Sequence, residues 1–173
     1  MRQFRKARME DLDEIMTVID EARAFIASIG IDQWQDGYPQ RDVIEADLRQ
    51  GIGYVLYDGG IGAYAAMMLT EEPCYQNIDG AWLTQEGEYA TMHRTAVCNR
   101  IRHSGAATEI LRNLERLALL NAKRSMRVDT HRGNVAMNAF LQKQGYARCG
   151  EVDYSSHVAP PNDPIRVAYE KLL

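Results

Sequence analysis

A single mixed-sheet α/β domain is the fold class this sequence predicts, an α+β mixed arrangement with a central twisted sheet and about four flanking helices. Three observations lead there. The 173 residues are 46% hydrophobic and 25% charged, the balance of one globular domain with a real core, and no linker or low-complexity stretch divides the span 1–173. Early strand-like runs neighbour one another around a tight turn, which suits antiparallel pairing. Later runs alternate with helices, which suits strand–helix–strand crossovers.

The elements follow in order. Residues 3–8 read as a short first strand. Glu10 to Ser28 reads as a helix, because Leu12, Ile15, Met16, Ile19, Ala22 and Ile26 recur at helical spacing behind an acidic first turn, and Gly30 ends it. A loop over 31–39 contains Gly37 and Pro39, and a short helix is expected from Arg41 to Gln50, stopped by Gly51. Two strands, 53–57 and 61–69, flank the hairpin signal Asp58-Gly59-Gly60. Residues 71–86 read as an irregular connection, and a third strand runs from Glu88 to Val97. The stripe Ile110, Leu111, Leu114, Leu117, Ala118, Leu120 marks a long helix over 105–122. A short strand at 126–129, a helix over 135–144 closed by Gly145, and strands at 146–154 and 165–172 complete the chain.

Several function classes are disfavoured. A net charge of −4 gives no global reason for a nucleic-acid or acidic-membrane partner. Cys74, Cys98 and Cys149 form no Cys-x-x-Cys pair, so neither a disulfide framework nor a metal site is expected, and reduced thiols suit a cytoplasmic protein. The basic start at 1–8 is followed by no apolar stretch, so no secretory signal is expected, and no window of about 20 apolar residues suggests a membrane span.

The chemistry concentrates at residues 92–115. A strand ending Thr95-Ala96-Val97 leads through Arg102-His103-Ser104-Gly105-Ala106-Ala107 into the long helix. Small residues at a helix head expose unpaired N–H groups beside the positive end of the dipole, an anion site suited to a pyrophosphate. The same turn also reads as a plain connection. It is neither a Walker loop nor a dinucleotide fingerprint, lacking Gly-Lys-Ser/Thr and the glycine triplet.

Arg102-x-x-Gly105-x-Ala107 resembles the Gln/Arg-x-x-Gly-x-Gly/Ala signature of the GNAT superfamily of N-acetyltransferases. A second stretch, Asp129 to Tyr146, resembles that family's later motif, with Asn134 before a helix closing in Gly145-Tyr146. The resemblance covers nearly the whole chain and looks like a bacterial subgroup without an assigned substrate. It implies a GNAT-like fold, acetyl-CoA as co-substrate, and an amine acceptor attacked directly in a ternary complex. Backbone amides at 102–107 would bind the CoA pyrophosphate, Asn134 the pantetheine arm, and N–H groups of Thr95, Ala96 and Val97 the thioester carbonyl. Two departures stand out. His103 replaces a usual Gly, and Leu141 falls where a Tyr often serves as general acid. A catalytically weak acyl-CoA sensor on the same fold is therefore the alternative. The resemblance further implies a small-molecule or peptide amine as acceptor, and a homodimer fits it.

Acetyl transfer to an amine needs a route for the amine's proton. Strand alternation puts His93, Thr95 and Val97 on one face, and histidine's reference pKa of about 6.5 suits the task. Some GNAT enzymes resemble this, with a His at that offset. Glu88, acting through water, is the second base candidate; both also read as ordinary structural or solvated groups. The acceptor pocket is expected from Trp34, Tyr38, Trp82 and His131, aromatic and loop positions that equally suit packing.

Overall fold

The computed structural model describes residues 2–173. Its elements are β1 (Gln3–Lys6), α1 (Leu12–Ser28), α2 (Arg41–Gln50), β2 (Gly53–Tyr57), β3 (Ile61–Met68), β4 (Asp79–Gly80), β5 (Tyr89–Val97), α3 (Ala106–Leu120), β6 (Ser125–His131), α4 (Val135–Lys143), β7 (Ala147–Asp153) and β8 (Ile165–Leu172). They build one eight-stranded sheet in the order β1-β2-β3-β5-β6-β8-β7-β4. Every pairing is antiparallel except β5 with β6, which makes the sheet mixed, as expected.

The helices form where the apolar stripes lie. Leu12, Ile15, Val18, Ile19 and Ile26 of α1 are buried, as are Ile110, Leu111, Leu114 and Ala118 of α3. All of these but Ile26 share one core with Ile44 and Leu48 of α2 and Leu141 of α4. α1 starts later than the pattern suggests. Met9–Asp11 is a 3-10 turn, because the Asp11 carboxylate accepts the Arg8 N–H at 2.8 Å and both guanidinium arms of Arg5 at 2.7 Å. β3 is buried along almost its whole length, so its run of small and apolar residues is covered on both faces.

The 71–86 segment is less irregular than expected. It holds a 3-10 turn at Pro73–Tyr75 and the two-residue strand β4, which adds to the sheet edge against β7. Gly80 and Gly150 pack backbone to backbone there, where any Cβ would collide. The segment covers one face of the sheet and builds a second, smaller core of Tyr75, Tyr89, Val152 and Ala168, with Trp82 and Tyr154 against it.

Two irregularities in β5 set up the cleft. Its parallel pairing with β6 ends at Thr91 with Arg127, while β5 continues to Val97 and β6 to His131, so the two strands separate. Against β3, Ala66 pairs with His93 but Tyr64 with Ala96, so one extra residue is inserted at 94–95. That bulge corrects the alternation expected for this strand: His93 shares its face with Ala96, not with Val97. Among the described residues, no helix is long and apolar enough to cross a membrane, and no group of three or more metal-ligating side chains gathers.

Candidate active site

The separation of β5 and β6 opens into a cavity of about 520 Å³. It is framed by the 32–38 loop, α2, Glu72, the β5 bulge, the ends of β6 and α4, and the 154–166 segment. This is where a sheet with a parallel crossover places ligands, at the carboxyl ends of diverging strands.

His93 lines the cavity. Its Nε2 stands 3.1 Å from Glu72 Oε2. A carboxylate can only accept, so the contact places the ring proton on Nε2 and leaves Nδ1 as the free base. Glu72 is itself held, since its other oxygen accepts the Cys74 N–H at 3.2 Å and its own N–H donates to Tyr89 Oη at 2.9 Å. Burial pushes the Glu72 carboxyl up, but the contacts with His93 and Cys74 more than offset it, and the net direction is down. Next along the chain, Arg94 adopts φ +53 in the bulge. Its Nε and Nη2 each reach one Asp47 oxygen at 2.7 Å, and Nη1 donates to Tyr38 Oη at 2.9 Å.

The expected anion loop lies beyond β5, open at the surface rather than inside the cavity. Gly105 caps α3 with φ +84, and His103 has φ +65. The left-handed backbone at 103 explains why glycine suits that position, and histidine holds it at a strain cost of about 1–3 kcal/mol. Among the described residues, no acceptor meets the N–H groups of His103, Gly105, Ala106 and Ala107. A Cβ at Gly105 would meet nothing within 4 Å, so the approach to these donors is open. Arg102 rests over the Phe25 ring at 4.3 Å. Ser104 is tied through its carbonyl and hydroxyl to Arg2, a contact the motif did not signal. Thr95 and Asn134 both line the cavity, Ala96 is buried in the core, and Val97 packs partly against it. Asn134 caps α4 by accepting the Met137 N–H at 3.1 Å, and its amide nitrogen has no acceptor among the described residues.

Other expected site residues divide. Trp34 and Tyr38 line the cavity, and Trp34 also packs on the main core. Trp82 is not at the cleft. Its ring stacks on Arg127 at 4.3 Å and beside Tyr75 at 4.9 Å in the smaller core. Glu88 precedes β5 at the end away from the bulge, pairs with Arg124 at 2.7 Å and caps Gln85, so it belongs to the surface and not to the cavity. His131 lies at the rim: Nδ1 accepts the Gly133 N–H at 3.0 Å, and Nε2 faces Asp32 Oδ1 at 3.1 Å without hydrogen-bond alignment. Leu141 is fully buried in the core and offers no proton to the cleft.

The sequence reading missed Glu72, Asp47, Asp129 and Arg166. Asp129 Oδ2 accepts two phenols, Tyr75 at 2.7 Å and Tyr154 at 2.9 Å. Burial holds both phenols well above the ordinary tyrosine range, so they stay protonated as donors. An aspartate inside a strand is depleted by propensity, and that is the one local signal that pointed to Asp129.

Residues 12–146 match the acetyltransferase (GNAT) family. No curated protein matches the chain. Among solved structures, a GNAT family acetyltransferase from Streptococcus agalactiae is 39% identical, with 99% of this chain and 95% of that one covered and a TM-score of 0.84. A PaiA N-acetyltransferase from Thermoplasma acidophilum in complex with coenzyme A shares the fold at 14% identity, covering 100% and 99% with a TM-score of 0.74. The Escherichia coli ribosomal-protein-S18-alanine N-acetyltransferase does so at 14% identity, covering 99% and 94% with a TM-score of 0.69. With the family matched over residues 12–146 and an acetyltransferase relative at 39% identity aligned along almost all of the sequence, the chain belongs to the GNAT acetyltransferase family.

Proposed function

We propose that this protein transfers an acetyl group from acetyl-CoA to an amine by direct attack, with His93 as the base. The observation that carries the reading is the His93–Glu72 pair set into the cleft where β5 and β6 part. Acetyl-CoA, when bound, supplies the thioester whose carbonyl the amine attacks. The chain's own groups do the rest. Unpaired N–H groups at the head of α3 suit the pyrophosphate, and Asn134 suits the pantetheine amide. The extra residue of the 94–95 bulge frees backbone polar groups that suit the thioester carbonyl. His93 Nδ1 takes the amine's proton while Glu72 steadies the imidazolium, and as the C–N bond forms the thioester C–S bond breaks, coenzyme A leaving as a thiolate that water protonates.

A second reading, an acyl-CoA-binding module without turnover, has one observation in its favour: Leu141 is buried where the family often has a tyrosine. It predicts binding without product.

Calorimetric titration of acetyl-CoA, with coenzyme A as control, tests the donor site. Binding is expected for the intact protein and lost in Gly105→Asp, which sets a carboxylate among the free N–H groups. Thiol release across an amine panel then separates enzyme from binding module. No binding at high micromolar acetyl-CoA would overturn both readings.

A further inference from the structure

Arg166, at the start of β8, is only 7% exposed, yet it lines the cavity. Its Nη1 donates to the carbonyls of Asp163 at 2.5 Å and Ile165 at 3.1 Å. No carboxylate among the described residues comes within 4.0 Å of its guanidinium. Asp163, the obvious partner, gives its carboxylate to Arg132 at 3.0 Å instead. A buried cation is normally paired, because removing it from water is costly. Among the described residues, no acceptor meets its Nε or Nη2, and together these donors make a fork suited to a carboxylate.

The opposite charge stands nearby. Asp129 pairs with Ala168 across β6 and β8, and Arg166 lies two residues along β8 from Ala168. Directly opposed residues share a face, so Asp129 and Arg166 project from the same face, roughly 7 Å apart along the strand. Asp129 commits Oδ2 to two phenols and leaves Oδ1 without a protein partner among the described residues. Arg127, Asp129 and His131 alternate on that face. Across the parting strands His93 continues the same face, two residues beyond Thr91, and its ring lies 6.3 Å from that of Tyr75. The face thus presents a base, a free carboxylate oxygen and an unpaired cation around one cavity.

We propose that the acceptor is a small amino carboxylate, its carboxylate held by Arg166 and its ammonium drawn to Asp129 beside His93. This rests on the acetyl-transfer reading above and narrows its acceptor class. Arg166 and Asp129 act by binding, and the proton leaves to His93 as before. A pure polycation would leave Arg166 unpaired and face its repulsion, and a neutral amine would use neither charge.

The test measures thiol release from acetyl-CoA by the intact protein with free amino acids, their carboxamides, and spermidine. At least one free acid is expected to exceed its carboxamide at least tenfold in kcat/KM. In Arg166→Gln, checked for folding by circular dichroism, that ratio is expected to collapse toward one, and in Arg166→Lys to recover in part. Preference for a carboxamide or spermidine, or an acid preference unchanged in folded Arg166→Gln, would overturn the proposal even if acetyl transfer occurs. Acetyl-CoA binding with no acceptor acetylated in any panel would overturn it too, while leaving the donor site standing. Absence of acetyl-CoA binding would overturn the transfer reading beneath it.

Discussion

Arg94, held at φ +53 in the bulge of β5, is clamped through Nε and Nη2 by the two carboxylate oxygens of Asp47 on α2, each at 2.7 Å. Neither partner is exposed: their side chains are 11% and 6% accessible. A non-glycine residue in the left-handed region costs about 1–3 kcal/mol and persists only where its surroundings over-determine it. Asp47 supplies that constraint, and it also accepts the Tyr64 hydroxyl at 2.7 Å. Asp47→Ala would leave a buried cation unpaired and is expected to cost roughly 3–5 kcal/mol in urea unfolding. The double variant Asp47→Ala/Arg94→Gly removes both the orphan charge and the side chain's strain, so it is expected to be more stable than Asp47→Ala alone. Equal midpoints for the two would show that the clamp does not hold the bulge.

His93 and Glu72 make a prediction in kinetics. His93→Ala is expected to lower kcat by about 10²–10⁴-fold while leaving the Kd for acetyl-CoA unchanged, since the donor loop lies beyond β5. Glu72→Gln keeps the shape but can present an amide donor to Nε2, which would turn the ring proton toward Nδ1 and block the base. It is expected to lose most of the activity that His93→Ala loses. Wild-type turnover by His93→Ala would remove His93 from the chemistry.

Much of this architecture was open to sequence reading, because each of its signals is local. The Asp58-Gly59-Gly60 turn, the α3 stripe and the Gly145 stop act within a few residues of themselves, and the strands and helices stand where they point. The Arg102 to Ala107 turn was readable for the same reason. The cleft was not. Nothing in Met92 to Val97 marks a bulge, because Asp47 holds it from another element. Glu72, Tyr75 and Tyr154 reach His93 and Asp129 from segments whose own residues carry no period. Trp82 misled because an aromatic in a loop serves a ligand or a core equally well, and here Arg127 and Tyr75 take it into the core.

The rim of the cavity carries a pH dependence. Asp32 Oδ2 accepts the Asp163 N–H at 2.7 Å and so ties the 31–39 loop to the 154–164 segment, and His131 sits between the two carboxylates, with Nε2 at 3.1 Å and 3.7 Å. Burial first, and then the charge of Arg166, lower the His131 pKa from 6.5, against the pull of Asp32 and Asp163. A histidine whose folded pKa is lowered favours the folded state in its neutral form. Its contribution is therefore complete above the unfolded value of 6.5 and is lost as the pH falls through the lower folded value. Glu72 and Asp163 are shifted down from 4.5 and 3.8, so their contributions fade only in more acidic solution. As the pH falls below 6.5, unfolding free energy is expected to decline, and His131→Asn to flatten that decline. Urea midpoints for the two proteins across this window decide the matter: parallel slopes would show that His131 titrates alike in the folded and unfolded chain.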